Sequence, residues 1–425
     1  MNRESSILEM VAKGQHHGLV HLHTKDQSYN GREIQIQGRK VINFSSCSYL
    51  GLSLDPRLTD GALSAMHRYG HSFPTSRSYI GLGILDDLEH QLEELFGYPT
   101  LLSTTTSLGH LAYLPTMVGK QDAVILDHQV HHSVSTAAQV LKAKGSHLEV
   151  IRHNQLSRLE ERIETLSVDH PKVWYFGDGI YSMYGDMAPV KALHDLLERH
   201  PKFHVYLDDA HGMSWIGPRG AGYVLSQGPL HPRMALITSL GKAFGSLGGA
   251  MIFADQSAKD KVKRLGGPLI FSSPMTPANI GAARAAAAIH LSPEINDLQK
   301  SLQQRIDYFR TRALHLGIPL IGEGNTPIFF IPVGSPDAAF EIGECMLEAG
   351  FYQSFSVFPS VPLNNAGLRY TLTNWLELED IDRMLVQLSK FRTSVLDRMG
   401  LHEPLLKRYF KGMTWQHVGQ ATLAE

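Results

Sequence analysis

Three stretches of the sequence place reactive side chains directly after apolar runs. HVYLDDAHG puts Asp208 and His211 after one run, ITSLGKAFG puts Ser239 and Lys242 after a second, and VILDHQVHHS puts His131 after a third. A lysine amine can form an imine with an aldehyde, and a carboxylate can keep a ring nitrogen protonated. A pyridoxal phosphate (PLP) site needs both, together with a flat group against the ring and donors for the phosphate.

These side chains would lie close together if the apolar runs are strands of one parallel sheet. Between about residues 55 and 285, β-rich runs alternate with helical patterns, and most runs end in a polar or acidic residue. Such runs are typical of strands buried on both faces of a mainly parallel sheet. The predicted strands are VILDH (124–128), LEVIRH (148–153), VWYFGD (173–178), HVYLDD (204–209), ALITSL (235–240) and AMIFAD (250–255). This pattern predicts an α/β doubly wound fold, with functional groups beyond the carboxyl ends of its strands.

The flanking segments predict smaller elements. Residues 1–40 predict an N-terminal helix and an arm around a strand pair, EIQIQ and KVINF. Residues 279–315 are Ala-rich and then charged with helical spacing, which predicts one long connecting helix. After it, TPIFFIPVG, FYQSFSVF, LRYTLT and two helical stretches predict a small α+β domain. The predicted division is an N-terminal segment (1–54), a large domain (55–290), a small domain (291–399) and a weakly patterned tail (400–425).

Composition and charge argue against several classes of protein. The chain has 425 residues, 43% of them hydrophobic, and a formal net charge of -2. This length predicts more than one domain, and the charge indicates neither a nucleic-acid partner nor a polybasic membrane anchor. No apolar run is long enough to span a bilayer, and the first residues show no signal-peptide pattern. The only cysteines, Cys47 and Cys345, favour a reducing cytoplasm over a disulfide framework.

Other sites could use some of the same residues. His128, His131 and His132 could bind zinc, but no carboxylate pattern accompanies them, so no metal site is predicted. SLGKAFG is not a P-loop, because Ala243 follows the lysine. The glycine-rich IGPRGAG (216–222) lacks the strand that precedes a dinucleotide-binding turn.

Two of the candidate residues also have simpler interpretations. Asp208 with Asp209 could cap a helix or bind a metal, and Lys242 could be a surface lysine. However, Lys242 follows the apolar run ALITSL and is flanked by glycines, which is a poor context for an ordinary surface residue.

Together these motifs resemble the α-oxoamine synthase family of fold-type I PLP enzymes. The resemblance extends from about Val41 to Met399. It implies a PLP-dependent transferase with a mainly parallel, seven-stranded sheet in a large domain and a small α+β C-terminal domain. The matching stretches are VINFSSCSYLGLSLDP, LEELFGY, GIYSMYGDMAP, VYLDDAHGMSWIGPRGAG, TSLGKAFGSLGGA, LIFSSPMTPA, FPSVP and LRYTLT.

The resemblance implies a role for each residue that would touch the cofactor ring. Lys242 would hold PLP as a Schiff base and act as acid and base at the substrate α-carbon. Asp208 would pair with the pyridine nitrogen, and His211 would contact the phenolic oxygen. His131 would stack on the ring, and Ser182 matches a cofactor-site serine.

Phosphate and substrate contacts are implied in the same way. Ser239 occupies the position of a phosphate-binding threonine, Thr106 and Ser107 can cup the phosphate, and Ser273 would reach it from the partner subunit. Arg369 in LRYTLT matches the arginine that binds the amino-acid carboxylate. A planar guanidinium suits that role because it can bind a carboxylate with two parallel hydrogen bonds.

The implied reaction is a decarboxylative, Claisen-type condensation of an amino acid with an acyl thioester. The thioester would be an acyl-CoA or an acyl-carrier protein, the product an α-amino ketone, and the enzyme a homodimer with a shared active site. Transamination, decarboxylation or aldol-type cleavage on the same scaffold is the alternative. A binding protein without turnover is disfavoured because Lys242, Asp208, His211 and Arg369 are all present.

The departures from the family pattern fall mainly on the substrate side. Cys47 stands where an asparagine often contacts the substrate carboxylate, and a thiol is a weak donor. Phe73 and Pro74 replace glycines in a stretch near the substrate entrance, and His110 takes the position of a family asparagine. We interpret the chain as a divergent member with an intact cofactor set and altered substrate contacts.

Overall fold

The computed structural model of the protein describes residues 3–416. Within them, strands β1 to β15 are, in chain order, Glu33–Ile36, Arg39–Asn43, Thr100–Ser103, Ala123–Asp127, His147–Ile151, Val173–Asp178, Phe203–Asp208, Met234–Ser239, Gly249–Ile252, Leu320–Ile321, Ile328–Gly334, Phe351–Tyr352, Ser354–Ser356, Ala366–Thr371 and Trp415–Gln416. Helices α1 to α15 are Arg3–His16, Pro56–Tyr69, Gly83–Phe96, Thr106–Met117, His132–Ala143, Leu156–Asp169, Val190–Arg199, Tyr223–Ser226, Gln256–Leu265, Gly267–Phe271, Pro277–His290, Glu294–His315, Pro336–Glu348, Leu378–Arg398 and Glu403–Tyr409.

The described chain forms two compact units. The large unit contains Leu52–Tyr181 and Met187–Gln299. The small unit contains the described residues up to Gly51, the segment Ser182–Asp186 and the described residues from Lys300 onward. The tail predicted at 400–425 is described only in part, because 417–425 lie outside the described residues.

The large unit is built on a seven-stranded sheet in the order β3-β9-β8-β7-β6-β4-β5. β9 runs antiparallel to both β3 and β8, and the remaining pairs are parallel. Six strands therefore run in one direction, and their carboxyl ends lie along one edge of the sheet. The mainly parallel sheet expected from the buried apolar runs is confirmed.

The sheet is fixed by a close-packed apolar layer on one face. Alternate residues of neighbouring strands, such as Leu126, Phe176 and Ile237, share one core cluster with residues of α4 and α5. Side chains two positions apart lie on the same face of a strand, so each strand contributes a row to this layer. This packing anchors the start of α4 near the carboxyl ends of the strands.

The small unit contains two further sheets. One has the order β13-β14-β11-β10-β15, and the other has the order β1-β2-β12. In the second sheet β12 pairs in parallel with β2, which joins the N-terminal segment to the C-terminal part of the unit. Arg32 binds Asp380 through two hydrogen bonds of 2.7 Å and adds a second connection between these segments.

Three sequence-based expectations need correction. The single helix predicted over 279–315 is two helices, α11 and α12, separated at Leu291–Pro293. A proline disfavours helical backbone at the residue before it, and Ser292 caps the new helix by accepting the backbone N–H of Glu294 at 3.3 Å. TLLS was not predicted as a strand but forms β3. The weakly patterned residues after Gly400 include α15 and β15, and β15 pairs with β10.

None of the helices within residues 3–416 is long and apolar enough to cross a membrane.

Candidate active site

The carboxyl edge of the large sheet surrounds one cavity of about 220 Å³. Five strands that end at this edge, β3, β4, β6, β7 and β8, are followed by residues of its wall. The cavity is lined by Thr105, Thr106, Ser107, His131, Ser133, Asp178, Ile180, Asp208, Ala210, His211, Ser239 and Lys242. The parallel topology thus brings together residues that are far apart in the sequence.

Asp208, the last residue of β7, is held at both carboxyl oxygens. Its Oδ1 accepts the backbone N–H of Ala210 at 3.0 Å. Its Oδ2 lies 3.2 Å from Nε2 of His110 on α4. Burial alone would raise the pKa of this carboxyl, but the His110 contact and the nearby Lys242 and His131 hold it below its ordinary value. Asp208 is therefore a buried carboxylate that can face a cationic ring nitrogen.

Asp178 ends the neighbouring strand β6 and is paired in register with Asp208. Its Oδ1 accepts the backbone N–H of His131 at 3.0 Å. Burial and the charge of Asp208 raise the pKa of Asp178 well above its ordinary value. Ionisation of Asp208 therefore disfavours ionisation of Asp178, because two adjacent buried carboxylates would repel each other.

His131 is the residue before α5 and caps that helix. Its Nδ1 accepts the backbone N–H of Ser133 at 3.3 Å and lies 2.6 Å from the Ser133 hydroxyl. Desolvation lowers the pKa of His131, and Asp208 partly offsets the effect. In the neutral ring the proton is then on Nε2, because Nδ1 is the acceptor of the cap. The flat ring forms one wall of the cavity.

Lys242, His211 and Ser239 complete the sheet side of the cavity. Lys242 follows β8 and is half-buried, and His211 is buried three residues after Asp208. Ser239, the last residue of β8, uses its hydroxyl oxygen to accept the backbone N–H of Gly241 at 3.1 Å. This bond shapes the turn that carries Lys242.

The start of α4 provides donors at the other side of the cavity. The Thr105 hydroxyl caps this helix by accepting the backbone N–H of Leu108 at 3.2 Å, and Thr106 and Ser107 are its first residues. The first N–H groups of a helix have no partner within the helix and carry the positive end of its dipole. This end of the cavity is therefore suited to a phosphate.

Arg369, Cys47 and Ser182 belong to the small unit. Arg369 lies on β14, is buried, and donates from Nε to the carbonyl of Ser182 at 2.6 Å. The buried Tyr49 hydroxyl is hydrogen-bonded to both Cys47 and Arg369, and burial raises its pKa well above the ordinary value. A neutral phenol and a backbone carbonyl thus orient the guanidinium, while Cys47 contacts the phenol.

Ser273 stands apart from the cavity residues of the large unit. It is exposed, and its carbonyl accepts the Thr104 hydroxyl at 2.8 Å. Its contact with a phosphate in a partner subunit, and the roles of the other site residues, stay predictions.

Family comparison agrees with this architecture. The model of the family described as aminotransferase class I and II matches residues 39–374. The chain belongs to this family. Members of it similar to this chain include 8-amino-7-oxononanoate synthases. One from Dechloromonas aromatica is 32% identical over 367 residues, which cover 85% of this chain and 92% of the relative. Another, from Alkaliphilus oremlandii, is 30% identical over 364 residues, with 85% and 90% covered.

The fold of this class I and II family member also matches a solved structure. Serine palmitoyltransferase from S. paucimobilis, with a bound PLP–myriocin aldimine, superposes with a TM-score of 0.84. The match covers 93% of this chain and 99% of that chain at 21% sequence identity, and it shows the shared fold-type I architecture. Since 8-amino-7-oxononanoate synthase is an α-oxoamine synthase, the resemblance found from the motifs is confirmed.

Sequence reasoning missed three residues that shape this site. Asp178 carries the same signal that identified Asp208, an acidic residue at the end of a buried apolar run, but it was assigned only to a strand. Thr105 precedes the helix as a capping residue, which is a recognisable start signal. His110 was noted only as a departure from the family, because nothing in the sequence shows that α4 turns it toward Asp208.

Proposed function

We propose that this protein is a PLP-dependent acyltransferase. It condenses an amino acid with an acyl thioester, with loss of carbon dioxide, and gives an α-amino ketone. The observation that carries the proposal is the large-unit cavity in which Lys242, Asp208 and His131 meet the start of α4. The sequence similarity to 8-amino-7-oxononanoate synthases, which extends along most of the chain, supports this chemistry rather than the other reactions of the fold.

The donor set of the cavity fits PLP. Lys242 supplies the amine for the aldehyde, the ionised Asp208 supplies an anion for the pyridine nitrogen, and the helix start supplies N–H donors for the phosphate. When bound, PLP provides a ring that accepts electron density from the substrate α-carbon. A metal site would need several ligand atoms at short range. Within residues 3–416 the one such group is Glu160, Glu164 and His200, and none of these three residues lines the cavity.

The resemblance to the α-oxoamine synthases supports a role for each of these cavity residues. Lys242 holds the cofactor and then exchanges a proton with the substrate α-carbon. Asp208 would keep the pyridine nitrogen protonated, His131 would lie against the ring, and His211 would contact its phenolic oxygen. The hydroxyl groups of Ser239 and Ser182 would make the cofactor contacts that serine or threonine makes at these positions in the family.

The substrate contacts are proposed from the small unit. Arg369 binds the carboxylate of the amino acid, since its guanidinium is oriented by the Ser182 carbonyl and the Tyr49 hydroxyl. The acyl donor is a CoA or carrier-protein thioester. The protein acts as a homodimer in which Ser273 reaches the phosphate in the partner subunit.

Substrate screening tests the reaction class. Purified protein loaded with PLP is incubated with the proteinogenic amino acids, each with acyl-CoA esters of short, medium and long chain. Free thiol and carbon dioxide released together, with the α-amino ketone found by mass spectrometry, are the expected result. Keto-acid formation, or carbon dioxide release without thiol, would instead assign transamination or simple decarboxylation.

The Lys242→Ala variant tests the cofactor attachment. Borohydride reduction of the wild-type protein should fix one PLP on the peptide that contains Lys242, and the variant should lose both this adduct and turnover. Lys263→Ala, which changes an exposed lysine on α9, is the matched control and should behave as the wild type. An adduct that persists in Lys242→Ala would refute the assignment.

A further inference from the structure

A buried histidine lies behind the carboxylate of the cavity. His110 on α4 is 0% exposed and is not among the cavity-lining residues. Its Nε2 lies 3.2 Å from Asp208 Oδ2, and its Nδ1 lies 2.7 Å from the Tyr206 hydroxyl. Tyr206 and Asp208 are two positions apart on β7, so both side chains lie on the same face of the strand. Both ring nitrogens therefore face polar atoms of one strand.

The proton positions in this chain of three groups follow from their chemistry. An ionised carboxylate can only accept, so a proton between His110 and Asp208 is on Nε2; at 3.2 Å this is a close polar contact in which the Nε2–H is not aligned for a hydrogen bond. Burial and the charge of Asp208 raise the pKa of Tyr206 well above its ordinary value, so its hydroxyl stays protonated. In the neutral histidine Nδ1 accepts, and the Tyr206 hydroxyl donates to it. The phenol thereby selects the tautomer that has its N–H on Nε2, the ring nitrogen beside Asp208.

We propose that His110 is a positioning residue that keeps Asp208 ionised and oriented toward the ring nitrogen of PLP, with Tyr206 fixing its tautomer. This inference rests on the proposed function, because it assigns the partner of Asp208. His110 acts through Asp208 and touches neither substrate nor cofactor. The asparagine that often occupies this position in the family has an amide donor and a carbonyl acceptor on a shorter side chain, whereas His110 carries its two nitrogens on one rigid ring.

Other charged groups near Asp208 cannot replace this contact. Lys242 is engaged by the cofactor in the proposed function, and His131 uses Nδ1 in its helix cap. Asp178 faces Asp208 from β6, but it is a carboxyl group whose own pKa is raised by burial and by the charge of Asp208, so it supplies no cation. The His110 contact is the leading local influence that favours the ionised form of Asp208 against burial.

The ring nitrogen of the cofactor provides a direct test. Wild-type protein, His110→Leu and His110→Asn are loaded with PLP labelled with ¹⁵N in the ring, and the ¹⁵N chemical shift reports whether that nitrogen is protonated. The wild type should give a pyridinium shift. His110→Leu should move most of the way toward neutral pyridine and bind PLP at least tenfold more weakly. His110→Asn should restore part of the pyridinium shift and part of the PLP affinity, because an amide N–H remains.

Two further variants separate positioning from simple core filling. Tyr206→Phe removes only a hydroxyl and should move the ¹⁵N shift in the same direction as His110→Leu by a smaller amount, which keeps the test valid if His110→Leu does not fold. Tyr113→Phe changes another buried tyrosine, on the same helix and stacked on Tyr206, and should leave the shift unchanged. Thermal unfolding of all variants accompanies the spectra.

The outcomes separate this inference from the proposed function. A wild-type protein that binds no PLP would refute both. A wild-type pyridinium shift that stays unchanged in folded His110→Leu and in Tyr206→Phe would refute the role of His110 alone, and His110 would then be a core residue.

Discussion

Asp208 and Asp209 are neighbours in the chain, but their carboxyl groups meet different surroundings. Asp208 lies beside His110 and Lys242, and its pKa is below the ordinary value despite burial. Asp209 is also buried, and its Oδ2 accepts the backbone N–H of Val224 at 3.0 Å. Burial without a nearby cation raises the pKa of Asp209 to about 8. One carboxyl is thus prepared as an anion, and the next serves as a neutral packing group.

We expect Asp209→Asn to stabilise the protein more at pH 8 than at pH 5. The unfolded chain ionises this carboxyl near its ordinary pKa of 3.8, whereas the folded protein keeps it protonated up to about pH 8. Between these values only the unfolded state gains by ionising, so the wild type loses stability as pH rises, by at most about 1.4 kcal/mol per pH unit. Urea unfolding from pH 5 to 8 measures this difference. The exposed-carboxyl variant Asp60→Asn is the control, and a pH-independent difference would contradict the prediction.

Arg369→Lys should weaken amino-acid binding with little effect on the cofactor. A lysine has no planar fork with which to bind a carboxylate bidentately while donating to the Ser182 carbonyl. We expect KM for the amino acid to rise about tenfold or more. This corresponds to the loss of roughly 1.4 kcal/mol of binding free energy when the bidentate contact is removed. Steady-state kinetics and the absorption of bound PLP measure the two effects. Arg408→Lys, an exposed change on α15, should alter neither, and a change in cofactor absorption alone would contradict the assignment.

At the scale of elements, the close approach of β9 to α4 fixes the position of the helix start at one end of the cavity. A Cβ atom on Gly249 would lie 2.8 Å from the backbone nitrogen of Thr106, too close for any side chain. Gly249→Ala should therefore displace the first turn of α4 and weaken PLP binding about tenfold, roughly 1.4 kcal/mol. Gly83→Ala, at the open start of α3, should be neutral. Fluorescence titration with PLP measures both, and equal affinities would argue against a phosphate at α4.

The sequence predicted those elements whose signal is local. The buried strands with long apolar runs were predicted to within a few residues, because such runs have few alternatives. β3 was missed because it is only four residues long and its run merges into the threonines of the next turn. The break between α11 and α12 was missed because helical spacing continues on both sides of Ser292–Pro293. The proline is nevertheless a recognisable signal for the end of a helix.

The candidate site divides in a similar way. Residues that belong to recognisable motifs, such as Lys242 and Asp208, could be predicted as candidates from the sequence. Their residue types and their order along the chain indicate which chemistry they can perform. The interplay of Asp178 with Asp208 depends on strand register, and the contact of His110 depends on how α4 is rotated. Neither is local information, so both required the folded structure.

At the scale of the whole molecule, large apolar side chains remain on the surface of the large unit. Phe271 is 88% exposed two residues before Ser273, and Tyr79 and Ile80 are 85% and 62% exposed. Exposed aromatic side chains near a residue assigned to a shared site are what a subunit interface would cover. They support the proposed homodimer.

Phe271→Glu should therefore weaken the dimer by about tenfold or more, because a charge would be buried at the interface. Sedimentation over a range of concentrations should show the wild type at about twice the 47.2 kDa chain mass and the variant shifted toward monomer. Val168→Glu, which changes a valine that is 79% exposed on α6, should leave the mass unchanged. A monomeric wild type would refute the dimer and the role of Ser273.

The order of strands in the large sheet has a consequence for the synthesis of the protein. Within the part of the chain that the structure describes, β3, which leads into α4, pairs with β9 alone, and the paired residues Ser103 and Gly249 are 146 positions apart. At typical elongation rates of 5–20 residues per second, roughly 7–30 s pass between the synthesis of these two partners. Throughout that interval the growing chain carries β3 as an unpaired edge, open to wrong partners. The strand pairing that places the start of α4 beside the cavity thus forms only late in the synthesis of the large unit.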